Sequence, residues 1–138
     1  MTLATNDGDQ PHVCTVFYVT DNAKTLYFKS YAIIIHANLL KTNPKIAIAI
    51  YDKDSSASGE KQGVQILGKA HKIMDNQEAT KAAELYIKTF HAPREKFFPI
   101  EHLTADDAES SLYKVTVEKV KMLDSVNHIQ PDKYLETS

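Results

Sequence analysis

The stretch that decides the fold is His36-Ala-Asn-Leu-Leu-Lys-Thr-Asn-Pro-Lys-Ile-Ala-Ile-Ala-Ile50. Its first part predicts a short helix from His36 to Lys41, which ends near Asn43 because the residue before a proline is pushed out of the helical region. The remainder predicts a strand over residues 45–51, with isoleucines on one face and alanines on the other. Such small side chains along one face of a strand indicate that another group packs closely against it.

The sequence on both sides of this unit predicts further antiparallel strands joined by tight turns. A long helix with an apolar stripe at 3.6-residue spacing starts at a cap on Asp75 or Asn76 and ends near Phe90. Gly68, within the longest predicted strand, indicates a β-bulge or a sharp bend. In addition to residues 45–51, the predicted strands are Thr2–Thr5, His12–Val19, Thr25–Lys29, Gly63–Met74 and Ser111–Leu123.

Six strands of this kind favour a mainly β fold, closed into a barrel and accompanied by one long and one short helix. A chain of 138 residues suits a single domain. We expect that domain to occupy residues 1–126, with a polar C-terminal tail over residues 127–138.

Composition argues against several classes of protein. The formal net charge is −2, and no basic stripe interleaved with aromatic residues is present, so we expect no nucleic-acid partner. No apolar run approaches the roughly 20 residues that span a bilayer, so we expect no membrane segment. The single cysteine, Cys14, excludes an intramolecular disulfide and favours a reducing, cytoplasmic location. The histidines lack the paired spacing of a metal site, and we expect no metal.

Several pieces of the chain, taken in order and with their spacing, resemble one known family. They are Thr2-Leu-Ala-Thr5, Gln10-Pro-His-Val13, Thr25-Leu-Tyr-Phe-Lys29, the stretch 36–50 and Gly63-Val-Gln-Ile-Leu-Gly68. Together they are similar to the pyridoxamine 5′-phosphate oxidase-related, FMN-binding split β-barrels over residues 2–73. A weaker similarity to the closing strand of that family covers residues 112–120.

This resemblance implies a six-stranded antiparallel split β-barrel that works as a homodimer, with FMN bound at the subunit interface. Members of the family include oxidases, flavin reductases and haem-handling proteins, so the fold alone does not fix the reaction. We therefore expect an FMN-binding, flavin-dependent oxidoreductase whose small-molecule substrate and catalytic residues the sequence does not identify.

The resemblance also assigns a phosphate site. Oxidases of the family bind the FMN phosphate with an early arginine, a Tyr-Thr-like pair at a strand end and a Ser-Arg-Lys run before the short helix. In this chain the matching positions are Cys14, then Lys29 and Ser30, then Ile34, Ile35 and His36. Lys29, Ser30, a protonated His36 and the free amides at the helix start are the groups left to hold a phosphate.

The flavin ring is expected along residues 12–16, where Val13, Cys14 and Thr15 offer backbone groups and small side chains. Gln65, on the longest strand, is expected to reach the flavin edge with its amide. The family often has a tryptophan near the ring on its closing strand. Because the chain contains no tryptophan, Tyr113 or another residue is expected to take this aromatic role.

The isoleucines before the short helix favour an alternative function. Residues 33–35 are all isoleucine where the family has polar and cationic side chains. The alternative is a non-catalytic, degenerate split-barrel dimer that has lost flavin binding or binds another ligand. In structural terms, these isoleucines are expected at the dimer interface or beneath the short helix. The alternative interpretations are a surface residue for His36, a strand-end charge in water for Lys29 and a packing residue for Cys14.

Overall fold

The computed structural model describes residues 1–21, 25–55, 59, 62–124 and 133–137. In chain order the elements are β1 (Thr2–Asn6), β2 (Pro11–Thr15), β3 (Tyr18–Thr20), β4 (Leu26–Tyr31), α1 (Ile35–Thr42), β5 (Lys45–Tyr51), β6 (Gln62–Lys72), α2 (Asn76–Phe90), a 3₁₀ turn (Arg94–Lys96), α3 (Glu101–Thr104), β7 (Ser110–Asp124) and β8 (Leu135–Glu136). No helix among the described residues is long and apolar enough to cross a membrane.

The strands form one antiparallel sheet in the order β2-β1-β5-β6-β7-β4-β3, with β8 paired to β7. β2 and β3 lie at opposite ends of this order, yet only Val16 and Phe17 separate them in the chain. They are therefore two halves of one bent strand that pairs first with β1 and then with β4, and so closes the barrel. With β2 and β3 counted as one strand, β1–β7 form six strands, and the six-stranded antiparallel split barrel is confirmed. The two-residue β8 is an additional strand beside β7. The expectation of one unbroken strand over His12–Val19 is wrong, because that segment changes partners at its centre.

Gly68 marks the predicted bulge. The register between β6 and β7 shifts between Leu67 and Gly68, so Glu118 on β7 has no residue opposite it. A Cβ atom at position 68 would lie 2.2 Å from the backbone oxygen of Thr116. Only glycine lets the two strands approach this closely at the bend.

Two apolar cores lie on opposite sides of the sheet, because neighbouring side chains of a strand point in opposite directions. Within β4, Leu26 and Phe28 point into the barrel, where Ala37 and Leu40 of α1 also pack. Tyr27 points outward into the second core. That outer core is formed with α2, through Ala79, Ala82, Ala83 and Tyr86.

Both predicted helices are present with the expected ends. Asp75 caps α2 by accepting a hydrogen bond from the Glu78 amide, and the helix ends at Phe90. α1 ends at Thr42, just before Asn43 and Pro44. Within the segment expected to be a polar tail, Leu135–Glu136 forms β8 and pairs with residues 119–120 of β7.

Candidate functional site

The outward face of β2, β1, β5 and β6 presents a row of small side chains. Leu3, Ile48 and Ile66 of these strands point into the barrel, so the residues beside them point outward. Register pairing aligns Thr15 with Thr2, Ala49 and Gln65 in one row, and Val13 with Ala4 and Ala47 in the next. We call this surface the outer floor; it consists of Thr2, Ala4, Val13, Thr15, Ala47, Ala49 and Gln65.

The outer floor has the shape of a binding surface. A shallow cavity of about 190 Å³ lies against it, lined by Ala47, Ala49 and Gln65 among others. Val13 is 66% exposed, which is high for a valine in the middle of a strand. Short side chains allow a flat ligand to approach the sheet closely, while the Gln65 amide supplies one donor and one acceptor. The fold thus brings together three of the residues predicted from the sequence, Val13, Thr15 and Gln65.

Cys14 lies on the other face of β2. It pairs with Leu3, and its side chain packs against the interior core. Burial raises the pKa of the Cys14 thiol, which favours the unreactive thiol over the thiolate. The packing interpretation of Cys14 therefore agrees with the structure, and only its backbone can contribute to the outer floor.

Lys29 is a half-buried cation on the outer side of β4. Its backbone amide donates a hydrogen bond of 3.0 Å to the Tyr86 hydroxyl, which in turn donates one of 2.8 Å to the Phe17 carbonyl. Lys29 therefore lies beside Phe17, two residues beyond the outer floor at Thr15. Among the described residues, no carboxylate lies within ion-pair distance of its ammonium group.

Two effects lower the pKa of Lys29: burial of the side chain and the positive charge of Lys96. Lys96 reaches this position because the adjacent Phe97 packs against Tyr86, with ring centroids 5.8 Å apart, and Tyr86 binds the backbone of Lys29. Lys96 was missed by the sequence analysis, because nothing in its local pattern links it to β4. Neither lysine has an ion-pair partner among the residues that the structure describes, and the charge of Lys96 makes the position of Lys29 one that an anion would stabilise.

Ser30 and His36 are joined to each other rather than to Lys29. The Ser30 hydroxyl and His36 Nε2 share a hydrogen bond of 2.7 Å, and the two residues are 5% and 6% exposed. Burial lowers the pKa of His36, and the nearby charge of His12 lowers it further. The expectation of a surface role for His36 is wrong. Ser30 and His36 point into the barrel, whereas Lys29 points away from it.

The three isoleucines at the start of α1 are exposed. Ile33, Ile34 and Ile35 are 89%, 39% and 55% exposed, and Tyr31 just before them is 58% exposed. The expectation that they lie beneath the short helix is therefore wrong. Contiguous exposed apolar side chains of this kind usually mark a surface that another molecule covers.

The aromatic residue that lines the shallow cavity on the outer floor is Tyr134, not Tyr113. Tyr113 is 5% exposed and stacks on Phe28 inside the barrel, with ring centroids 5.0 Å apart, so its prediction as the aromatic substitute is wrong. Tyr134 instead lines the same shallow cavity as Gln65, and the Lys121 ammonium lies 5.3 Å from the centre of its ring. In the part of the chain that the structure describes, no three side chains of His, Cys, Asp or Glu cluster as metal ligands.

The family model of pyridoxamine 5′-phosphate oxidase matches residues 1–124 of the chain. No curated protein sequence matches the chain at a significant level.

The solved structures that resemble this fold include the following three. A candidate pyridoxamine 5′-phosphate oxidase from Listeria innocua is 22% identical with a TM-score of 0.65, and the match covers 90% of this chain and 87% of that one. A haem-binding protein from Mycobacterium smegmatis is 17% identical with a TM-score of 0.73, covering 99% of this chain and 51% of that one. The haem storage protein HutZ from Vibrio cholerae is 16% identical with a TM-score of 0.68, covering 89% and 83%. The chain thus spans about half the length of the mycobacterial protein, and similarity at this level shows the fold alone.

Proposed function

This chain belongs to the pyridoxamine 5′-phosphate oxidase family, and from that membership we propose that it is an FMN-binding homodimer that acts as a flavin-dependent oxidoreductase. The flavin lies on the outer floor and is covered by the second subunit. Its phosphate lies beside Lys29 and Lys96. The single cysteine, whose thiol is unpaired, supports a reducing, cytoplasmic setting.

The observation that carries this proposal is the pair of Lys29 and Lys96, which have no ion-pair partner among the described residues. A dianion bound between or beside the two lysines would stabilise both charges, because charge-assisted hydrogen bonds to phosphate are stronger than neutral ones. The Lys29 ammonium lies 5.0 Å from the centre of the Tyr31 ring, so part of its side-chain freedom is already lost before an anion binds. The backbone of Lys29 is linked through Tyr86 to Phe17 at the β2–β3 bend, which supports a phosphate position next to the outer floor.

The remaining groups fit a flavin as well. The outer floor accepts a flat ring, and Gln65 can exchange hydrogen bonds with its polar edge. β2 pairs only with β1 among the described strands, so its free edge can offer backbone groups to the ligand. Bound FMN would supply hydride or single-electron transfer, while the protein supplies binding and electrostatics.

A homodimer accounts for the exposed apolar side chains. Val13, Tyr31 and the three isoleucines at positions 33–35 are all more than one third exposed. In a dimer whose interface contains these side chains they would be buried, and burying apolar surface contributes about 25 cal/mol for each Å². A second subunit would also shield the flavin from water.

The alternative is a dimer that lacks flavin and binds another ligand. It is favoured by the start of α1, where Ile34 and Ile35 stand at the positions matched to the serine and arginine of the oxidases. The structural neighbours named as haem-binding and haem storage proteins make haem the first ligand to consider. Against it, the outer floor has no histidine, so a haem iron would need a ligand from elsewhere.

The test is a titration of the purified protein with FMN, followed through the quenching of flavin fluorescence. We expect a Kd near ~1 μM, which corresponds to about −8 kcal/mol. Lys29→Ala and Lys96→Ala should each weaken binding by roughly tenfold, and the double variant by more. Lys88→Ala, which removes an exposed lysine of α2, is the matched control and should leave the Kd unchanged.

Two results would overturn the proposal. One is the absence of any interaction at about 1 mM FMN. The other is unchanged affinity in the double lysine variant, which would place the phosphate elsewhere. A parallel titration with haem, followed through the Soret band, would support the alternative if haem binds and FMN does not.

A further inference from the structure

The barrel is open at the end that lies away from α1. β4 ends at Ser30–Tyr31, where the Ser30 hydroxyl bonds His36 of α1, and α1 fills that end of the barrel with Ala37 and Leu40. β4 begins at Leu26, and a cavity of about 730 Å³ opens there.

The cavity exists because the sheet splits on one side of β7. β4 pairs with β7 only as far as Leu26 opposite Val115. Further along the same edge, β8 pairs with β7 at residues 119–120. Across the gap, Thr137 donates a side-chain hydrogen bond of 2.7 Å to the Val117 carbonyl. The split leaves a passage from the surface into the barrel interior.

The wall of this cavity is aliphatic. Leu26 and Val115, at its base, are 5% and 2% exposed, whereas Met122 and Leu135, at its mouth, are 45% and 58% exposed. The lining thus includes both buried and exposed apolar side chains, as in a pocket that opens to the surface. Between them the wall consists of Val64, Ile66, Val117 and Val120.

The charged side chains among the lining residues are already paired. Among the described lining residues, Lys114 and Glu136 are the charged ones. Lys114 pairs with Glu78 at 3.1 Å, and Glu136 pairs with Lys119 at 3.2 Å. A charged ligand would lose its hydration without gaining an unpaired partner, and desolvating an ion costs several kcal/mol.

We propose that this cavity binds an uncharged lipophilic molecule. Its volume lies within the range of about 300–1,000 Å³ that is typical of small-molecule pockets, and its aliphatic wall favours an apolar ligand. The site is separate from the outer floor, because Val64 and Ile66 point into the cavity while Gln65 between them points outward. The proposal is therefore independent of flavin binding.

The test uses N-phenyl-1-naphthylamine, an uncharged probe whose fluorescence rises in apolar surroundings. We expect saturable binding with a Kd near ~10 μM that saturating FMN does not reverse. Val120→Phe fills the cavity and should weaken binding by roughly tenfold or more. Leu123→Phe enlarges a side chain on the opposite face of the same strand and is the matched control, with an unchanged Kd.

Circular dichroism and thermal unfolding establish that each variant is folded. Should Val120→Phe fail to fold, Leu135→Glu, which places a charge at the exposed mouth, gives the same expected loss without disturbing the interior. Absence of any fluorescence increase at about 50 μM probe would overturn the proposal. So would full binding by a folded Val120→Phe or Leu135→Glu variant, since the probe would then bind elsewhere. Equal affinity for the anionic probe 8-anilinonaphthalene-1-sulfonate would contradict the preference for uncharged ligands.

Discussion

Replacing Tyr86 by phenylalanine tests how the barrel is closed beside the proposed phosphate site. The Tyr86 hydroxyl stands where a direct strand-to-strand hydrogen bond would be expected between Lys29 and Phe17. It accepts from the Lys29 amide at 3.0 Å and donates to the Phe17 carbonyl at 2.8 Å. The residue is 6% exposed, and burial raises the pKa of Tyr86, so the hydroxyl keeps its proton at neutral pH.

The expected loss follows from these two hydrogen bonds. Each is worth about 0.5–1.5 kcal/mol, so Tyr86→Phe should lower the free energy of unfolding by about 2 kcal/mol. For a chain of this length that loss lowers Tm by roughly 6–8 °C. Urea unfolding followed by circular dichroism, together with thermal scans, measures both quantities.

Tyr113→Phe is the matched control. Tyr113 is 5% exposed and undergoes the same chemical change, but within the described residues no protein group bonds its hydroxyl. We expect a change of at most about 0.5 kcal/mol. Equal losses of stability in the two variants would refute the bridging role of Tyr86, because the loss would then reflect burial of the ring alone.

Three further predictions follow from the structure. Gly68→Ala should destabilise the protein by about 2 kcal/mol or more in urea unfolding, because its Cβ would lie 2.2 Å from a backbone oxygen; an unchanged midpoint would contradict the tight bulge. Burial lowers the pKa of His36 from its usual value of 6.5. As the pH falls below about 6.5, His36 therefore binds a proton more readily in the unfolded chain than in the folded one, and the free energy of unfolding decreases. His36→Gln should therefore lose less Tm than the wild type between about pH 7.5 and pH 5.5, and an equal loss would exclude His36 as the cause. Ile35→Arg restores a cation that the oxidases have at this position and should tighten FMN binding by roughly tenfold in the fluorescence titration; unchanged binding would place the phosphate away from α1.

Local sequence patterns were sufficient to predict most of the fold. The alternation within Lys45–Tyr51 predicted a face of alanines opposite the isoleucines, because neighbouring side chains of a strand point in opposite directions. That face lies at the centre of the outer floor. Gly68 correctly predicted a bulge, because a residue without a Cβ atom lets the neighbouring strand approach closely. The break at Val16–Phe17 was not predictable in this way, because a strand's own sequence does not specify that its two halves pair with different neighbours.

The site was harder to predict than the fold, because it depends on contacts between distant segments. Alternation along β4 separates Lys29 from Ser30, so the two predicted neighbours point to opposite sides of the sheet. Lys96 approaches Lys29 only through the packing of α2 and the turn that follows it. Tyr134 lies in a segment whose composition predicted only a polar tail, and its place beside Gln65 follows from the pairing of β8 with β7.

The measurement that tests the central claim most directly is a comparison of FMN with riboflavin, which differ only in the phosphate. If Lys29 and Lys96 bind that phosphate, FMN should bind at least roughly tenfold more tightly than riboflavin, a difference of about 1.4 kcal/mol. The Lys29→Ala, Lys96→Ala double variant should bind the two flavins equally. Equal affinities in the wild type, or a preference for FMN that survives in the double variant, would contradict the account.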